Sequence, residues 1–246
     1  MKNPIRPLTL IKSLMLGLLV LALPQMAFAD EVPATVTSVK GDVNVTDPSG
    51  QPVTISQGSK IPVGDTVKTG ADGELGLTLT PGSGTVVMPN SDVVISTLNF
   101  NKAPDGSNNR TIRLNLRNGS LISTLFKKDG HSDFQVATPY GVAAAKGTSW
   151  GVTVQGTTLT VEVANGVVTV SNAAGQILAT VREKKSFDNK TNAVSALSDK
   201  ALKYILDTLQ DFLPNLTKDQ LIKALNDASI NPSTNDNKNT INSPNN

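Results

Sequence analysis

Residues 137–154 read ATPYGVAAAKGTSWGVTV. A residue before proline is pushed into the extended region, so Thr138-Pro139 predicts a strand-like approach. Val142 to Ala145 follow with side chains too small to fill a core layer alone. Small residues in a strand suit a place where another backbone comes close. Gly147 permits a sharp turn or a bulge, and the Thr148 hydroxyl can hydrogen-bond it. Trp150 shares parity with Val152 and Val154 and so begins the next buried face. The apolar area of an indole favours a core plug over a ligand platform. The stretch reads as a packing corner between strands, not as a catalytic loop.

The flanking chain repeats the same period of two. Leu75, Leu77 and Leu79 alternate with polar or small residues, as do Ile112, Leu114 and Leu116, then Phe134 and Val136, then Leu159, Val161 and Val163. Such alternation makes strands with one face in a core and one in water. Between the runs stand Asp47-Pro48-Ser49-Gly50, Ala71-Asp72-Gly73, Pro81-Gly82-Ser83-Gly84, Asp105-Gly106, Asn118-Gly119 and Asn165-Gly166. Asn-Gly and Asp-Gly accept the positive φ of tight hairpins, so these predict turns. No long helical pattern intervenes, which argues against a parallel α/β sheet. The expected fold class is all-β, a sandwich or a solenoid-like stack of short strands, spanning residues 30–185.

The two ends differ from this middle. Lys2, Arg6 and Lys12 precede a leucine-rich run from Ser13 to Leu23, and Ala27-Phe28-Ala29 gives the small-x-small pattern of a signal-peptidase site. Residues 1–29 are expected to be a signal peptide cleaved between Ala29 and Asp30, with no membrane span afterwards. Past Phe187, Leu202, Ile205, Leu206, Leu209 and Phe212 make one apolar stripe, which Pro214 ends; Thr217 to Gln220 has capping-box spacing before Leu221, Ile222, Leu225 and Ala228. Residues 186–230 are therefore expected to form a small helical hairpin. From Asn231 to Asn246 almost nothing is apolar, and a disordered tail is expected.

Composition excludes several chemistries. The chain has no cysteine, hence no disulfide, thiolate nucleophile, cysteine metal site or lipidated N-terminal Cys. Setting aside Lys2, Arg6 and Lys12 leaves 19 of the 22 basic residues against 20 acidic ones, and so no electrostatic footprint for nucleic acid. The lone histidine, His131, lies in a turn-like Lys-Asp-Gly-His-Ser-Asp segment without a Gly-x-Ser-x-Gly elbow. Glu162 lies between Val161 and Val163, so alternation points it away from them, toward solvent. Gly82-Ser83-Gly84-Thr85 lacks the ending of a phosphate loop and reads as a hairpin. Neither metal nor cofactor site is expected, and no enzyme activity.

Taken in order, several short motifs resemble the FecR-type domain family. Thr138-Pro139, the small strand from Ala143, then Lys146-Gly147-Thr148 and Trp150 match that family's signature. Upstream, Val39-x-Gly41-x-Val43 and Gly58-x-x-Ile61-x-x-Gly64-Asp65-x-Val67-x-Thr69 resemble its opening, followed by Gly73-Glu74-Leu75-x-Leu77 and Leu116-x-x-Gly119. Val161-x-Val163-x-x-Gly166-x-Val168-x-Val170 resembles its close. The resemblance spans about Val36 to Val181. It implies an all-β extracytoplasmic domain and, in the best-known members, a relay between an outer-membrane receptor and a sigma factor. Those members carry an anti-sigma segment and a transmembrane helix ahead of the domain, neither of which is expected here. Lys146 stands where arginine is frequent in the family, which bears on any contact specific to a guanidinium.

The expected function is that of a non-enzymatic, periplasmic or secreted protein acting as a binding module for an envelope protein or polymer, with signalling as one use. The alternative is a structural component of a surface matrix or appendage.

Overall fold

The computed structural model describes residues 30–103, 105–126 and 130–212. The expected signal peptide with Ala29, the second half of the expected helical hairpin and the expected tail lie outside the described residues. The N-terminal third contributes β1 (Asp30–Glu31), β2 (Ala34–Lys40), β3 (Val43–Thr46), β4 (Pro52–Val53), β5 (Lys60–Ile61) and β6 (Thr66–Thr69). A hairpin of β7 (Glu74–Thr80) and β8 (Ser83–Val87) follows, closed by Pro81-Gly82 as the sequence predicts. Long strands then dominate: β9 (Asp92–Lys102), β10 (Asn108–Leu125), β11 (Ser132–Thr138), β12 (Gly141–Gln155) and β13 (Thr158–Ser171). The described part ends with β14 (Ile177–Arg182), β15 (Lys185–Asp188), β16 (Ala193–Ala196) and helix α1 (Asp199–Phe212).

All strands among the described residues join one hydrogen-bonded sheet, and of their pairings only β10–β11 is parallel. The sheet folds over because long strands change layers midway. The first part of β10 pairs with β9 and β11, while its last residues, from Gly119, pair with β8 and β12. β12 pairs with β11 up to Ala145 and with β10 from Ser149. β13 pairs with β15 over Thr160 to Val163 and with β14 over Val167 to Ser171. One layer thus runs β16-β15-β13-β12-β10-β8-β7-β2-β5, and the other holds β9, the first half of β10, β11, the first half of β12, the end of β13, and β14. The layers face each other over a single core, in which Phe134 of one and Trp150 of the other meet edge to face at 5.7 Å between centroids. This is a folded-over sandwich, the first of the two expected all-β architectures.

Three expectations are corrected. Asn118-Gly119 and Asn165-Gly166 are not hairpin turns; both lie inside continuous strands and mark the layer change. Gly119 has φ 90°, and a Cβ there would stand 2.2 Å from Ser91 Oγ. A residue with a side chain is excluded on both counts. The sheet also continues beyond residue 185 through β15 and β16 to Ala196, so the helical segment starts later than residue 186. It begins where the Ser198 hydroxyl accepts a hydrogen bond from the Ala201 amide at 3.2 Å, an N-cap contact, with Asp199 in the first turn.

Helix α1 lays its stripe on the outside of the first layer. Ile205 and Leu209, both fully buried, and the partly buried Leu202 and Leu206 pack on Val86, Met88, Ile122 and Ala164. A helix of this length is marginal alone in water, so this contact is what holds it.

Candidate functional site

The Lys-Gly-Thr-x-Trp segment is the most distinctive stretch of the chain, and its geometry can be built residue by residue. Thr138 ends β11 with its hydroxyl donating to Gly141 O at 2.8 Å and receiving the Tyr140 amide at 3.2 Å. Pro139-Tyr140 is thus the two-residue loop of the β11–β12 hairpin. Ala143 and Ala145 then point inward, opposite Val136 and Phe134. Phe134, opposite Ala145, meets the Trp150 indole edge to face. Trp150 is fully buried, as a core plug should be, with its Nε1 unpartnered among the described residues.

Between the alanines and the tryptophan the strand bulges. Pairing with β13 jumps from Lys146 opposite Val167 to Ser149 opposite Asn165. Gly147 takes φ 60° at the jump, and buried Thr148 donates its hydroxyl to Val167 O at 3.1 Å. On β13 the matching residue is Gly166, with φ 86°, whose Cβ would stand 2.5 Å from the Gly147 carbonyl oxygen. Lys184, at φ 55° between β14 and β15, carries the same bend to the next strand. Ser149 and Thr124 share a hydroxyl hydrogen bond of 2.9 Å under the bend. Of the motif residues Pro139 and Lys146 are exposed, and the Lys146 side chain makes no hydrogen bond or ion pair with the described residues. The motif is a corner that passes β12 from one layer to the other.

Other titratable groups offer no assembled chemistry. His131 is exposed, and its neighbour Asp133 is engaged by Arg113 at 2.9 Å. No group of three metal-ligating side chains occurs among the described residues. Asp30, the expected first residue after cleavage, is exposed in β1 opposite Phe100.

Two buried charges were not singled out by sequence reasoning as sites. Arg110 is 1% exposed; its Nη1 donates to Pro81 O at 3.0 Å and its Nη2 to Phe126 O at 3.4 Å. Burial pulls its pKa below the usual arginine value. It ties the start of β10 to the β7–β8 turn and to the residue after β10. Its parity with Ile112, Leu114 and Leu116 was the available signal. Asp65 is 2% exposed, and burial first, then the negative charge of Asp47, push its carboxyl up.

Glu162 departs from expectation. It does point away from Val161 and Val163, but that side of the sheet lies under α1 rather than open to solvent. The residue is half-buried opposite Gly151, and burial raises its pKa above the usual carboxylate value.

The family described as FecR protein matches residues 65–169. No curated protein matches the chain. Two crystal structures of a protein described as an anti-sigma factor, from Parabacteroides distasonis, are similar at TM-scores of 0.44 and 0.42, with 14% and 13% identity. They cover 58% and 57% of this chain, which spans 64% and 62% of theirs, less than two thirds of their length. The match to the family takes in Gly119, Gly147 and Gly166 together with Trp150, so the part of the chain that carries both layer changes is the part similar to the FecR family.

Proposed function

We propose that the chain is an exported, non-enzymatic binding module of the cell envelope, which takes an extended segment of a partner protein along the free edge of β14. The match of residues 65–169 to the FecR family supports a regulatory rather than catalytic role, and the basic, leucine-rich residues 1–29 support export. One observation carries the reading. Sheet edges are usually blunted by short strands, charge or proline. β1 is two acidic residues, β4 is two residues with Pro52, β5 is two residues, and β16 is four small or short ones. β14 has six residues, is paired on one side to β13, and leaves Ile177 67% and Leu178 38% exposed. An edge of that kind offers main-chain hydrogen bonds for affinity and apolar contacts for specificity.

Crosslinking in intact cells, followed by capture on a tagged chain, tests this against the double variant Ile177→Lys, Leu178→Lys. Both side chains are exposed, so folding should be unaffected while a defined partner is lost. Unchanged capture by the variant contradicts the edge reading. Capture of the chain alone replaces it with a self-assembling surface component.

A further inference from the structure

The outer row of the first layer runs Ser195, Ser186, Glu162, Gly151, Ile122, Val86 across six strands. Gly151 lies on the face of the sheet that α1 covers. A Cβ placed there would stand 3.8 Å from Glu162 Oε2 and 3.9 Å from Ile205 Cδ1. The Glu162 carboxylate and the central apolar residue of α1 therefore share one small patch of sheet. No hydrogen bond or ion pair reaches that carboxylate from the described residues. On the flanking strands, Ser186 is occupied by Ser195 at 2.9 Å, and Gly151 has no side chain. On α1, Lys203 pairs with Asp207, and the Tyr204 phenol lies toward Glu74 and Lys40. Asp199, Lys200 and Asp211 sit in the first and last turns of the helix, and Lys185 and Asp188 of β15 pair with Val163 and Thr160 rather than with Glu162.

We infer that α1 is a pH-dependent cover: protonation of Glu162 seats the helix on the sheet, and ionisation loosens it. A half-buried carboxylate near an isoleucine methyl and a glycine backbone loses part of its water without receiving a donor in exchange, and the protonated form is the cheaper one to cover. With the helix away, Glu162 meets water and titrates as an ordinary glutamate. The folded-state value is raised by burial, with no charged group contributing. The sign follows: seating is favoured below the raised value and weakens as pH climbs through it. Tyr204, also raised by burial, titrates far above this window. Loosening would uncover Val86, Met88, Ile122 and Ala164 together, so the cover governs access to an apolar patch on the outside of the sheet.

Amide hydrogen exchange of the full-length mature chain at pH 5 and pH 8, corrected for intrinsic exchange rates, reads this directly. The opening equilibrium of residues 199–212 should rise severalfold at the higher pH, while the amides of β12 hold steady as an internal control of folding. Glu162→Gln, a neutral side chain of the same shape, should keep α1 protected equally at both. Ile205→Ala should raise opening at both and retain the pH dependence. Equal corrected opening of the wild type at the two values overturns the inference, and so does a Glu162→Gln chain that keeps the wild-type dependence.

Discussion

The two outer faces of this sheet are built largely from the same strands, yet one is dry and the other wet. Where β8, β10, β12 and β13 form the first layer, their outward residues include Val86, Ile122, Gly151 and Ala164, all buried beneath α1. Where β10, β11, β12 and β13 form the second layer, the outward residues include Thr111, Arg113, Asn115, Gln135 and Thr169, none of them buried. A single strand such as β10 supplies both kinds, with Gly119 as the boundary. The chemistry of the outward side chains changes at the corner because the element waiting outside changes there. Alternation fixes which residues face the core; what lies on the opposite side is decided by distant parts of the chain.

That contrast can be tested by removing side chains from the core, the dry face and the wet face. Trp150 belongs to the core both layers share, so Trp150→Ala should cost about 3–5 kcal/mol and lower both layers together in chemical denaturation. Trp150→Phe should cost much less, since it keeps a ring against Phe134 and removes an N–H that has no partner. Separate transitions for the two layers in the alanine variant would break the picture of one core. Ile205→Ala acts on the dry face alone. Its loss, about 2–4 kcal/mol at a buried isoleucine, should appear as reduced helical circular dichroism while the sheet's unfolding midpoint barely moves. Arg113→Ala removes an ion pair with Asp133 on the wet face, where the two side chains are 41% and 27% exposed. The expected change is under about 1 kcal/mol and should shrink further in high salt. A large effect there would mean that the wet face is covered after all.

Much of the core was legible before any coordinates. Leu75, Leu77, Ile112, Leu114, Phe134, Trp150, Val161 and Val163 are all inside, where period-two alternation places them. The Pro81-Gly82 hairpin and the apolar stripe of α1 were equally readable. The corners were not. Asn118-Gly119 and Asn165-Gly166 have the composition of hairpin turns, and a positive φ suits a bend inside a strand as well as a reversal between two. Only pairing with distant partners, Ser91 in one case and Gly147 in the other, separates the two uses. Glu162 failed for a related reason. Its parity was read correctly, but the helix above it comes from a separate segment whose docking site leaves no local trace. Arg110 was readable in principle by parity, and was passed over because arginine is seldom buried.

The claim that organises the rest is that the signature of this domain is a corner whose glycines hold two backbones together. Equilibrium unfolding of Gly166→Ala beside Gly156→Ala addresses it. Both glycines have positive φ, 86° and 59°, so alanine pays a conformational cost at each. Gly156, in the β12–β13 turn, has nothing within 4 Å of an added Cβ, whereas Gly166 has the Gly147 carbonyl oxygen at 2.5 Å. Gly156→Ala should lose about 1–2 kcal/mol, and Gly166→Ala about 2–5 kcal/mol with a concerted loss of both layers. Equal losses at the two positions would contradict the corner and return Lys146, Gly147, Thr148 and Trp150 to consideration as a binding site.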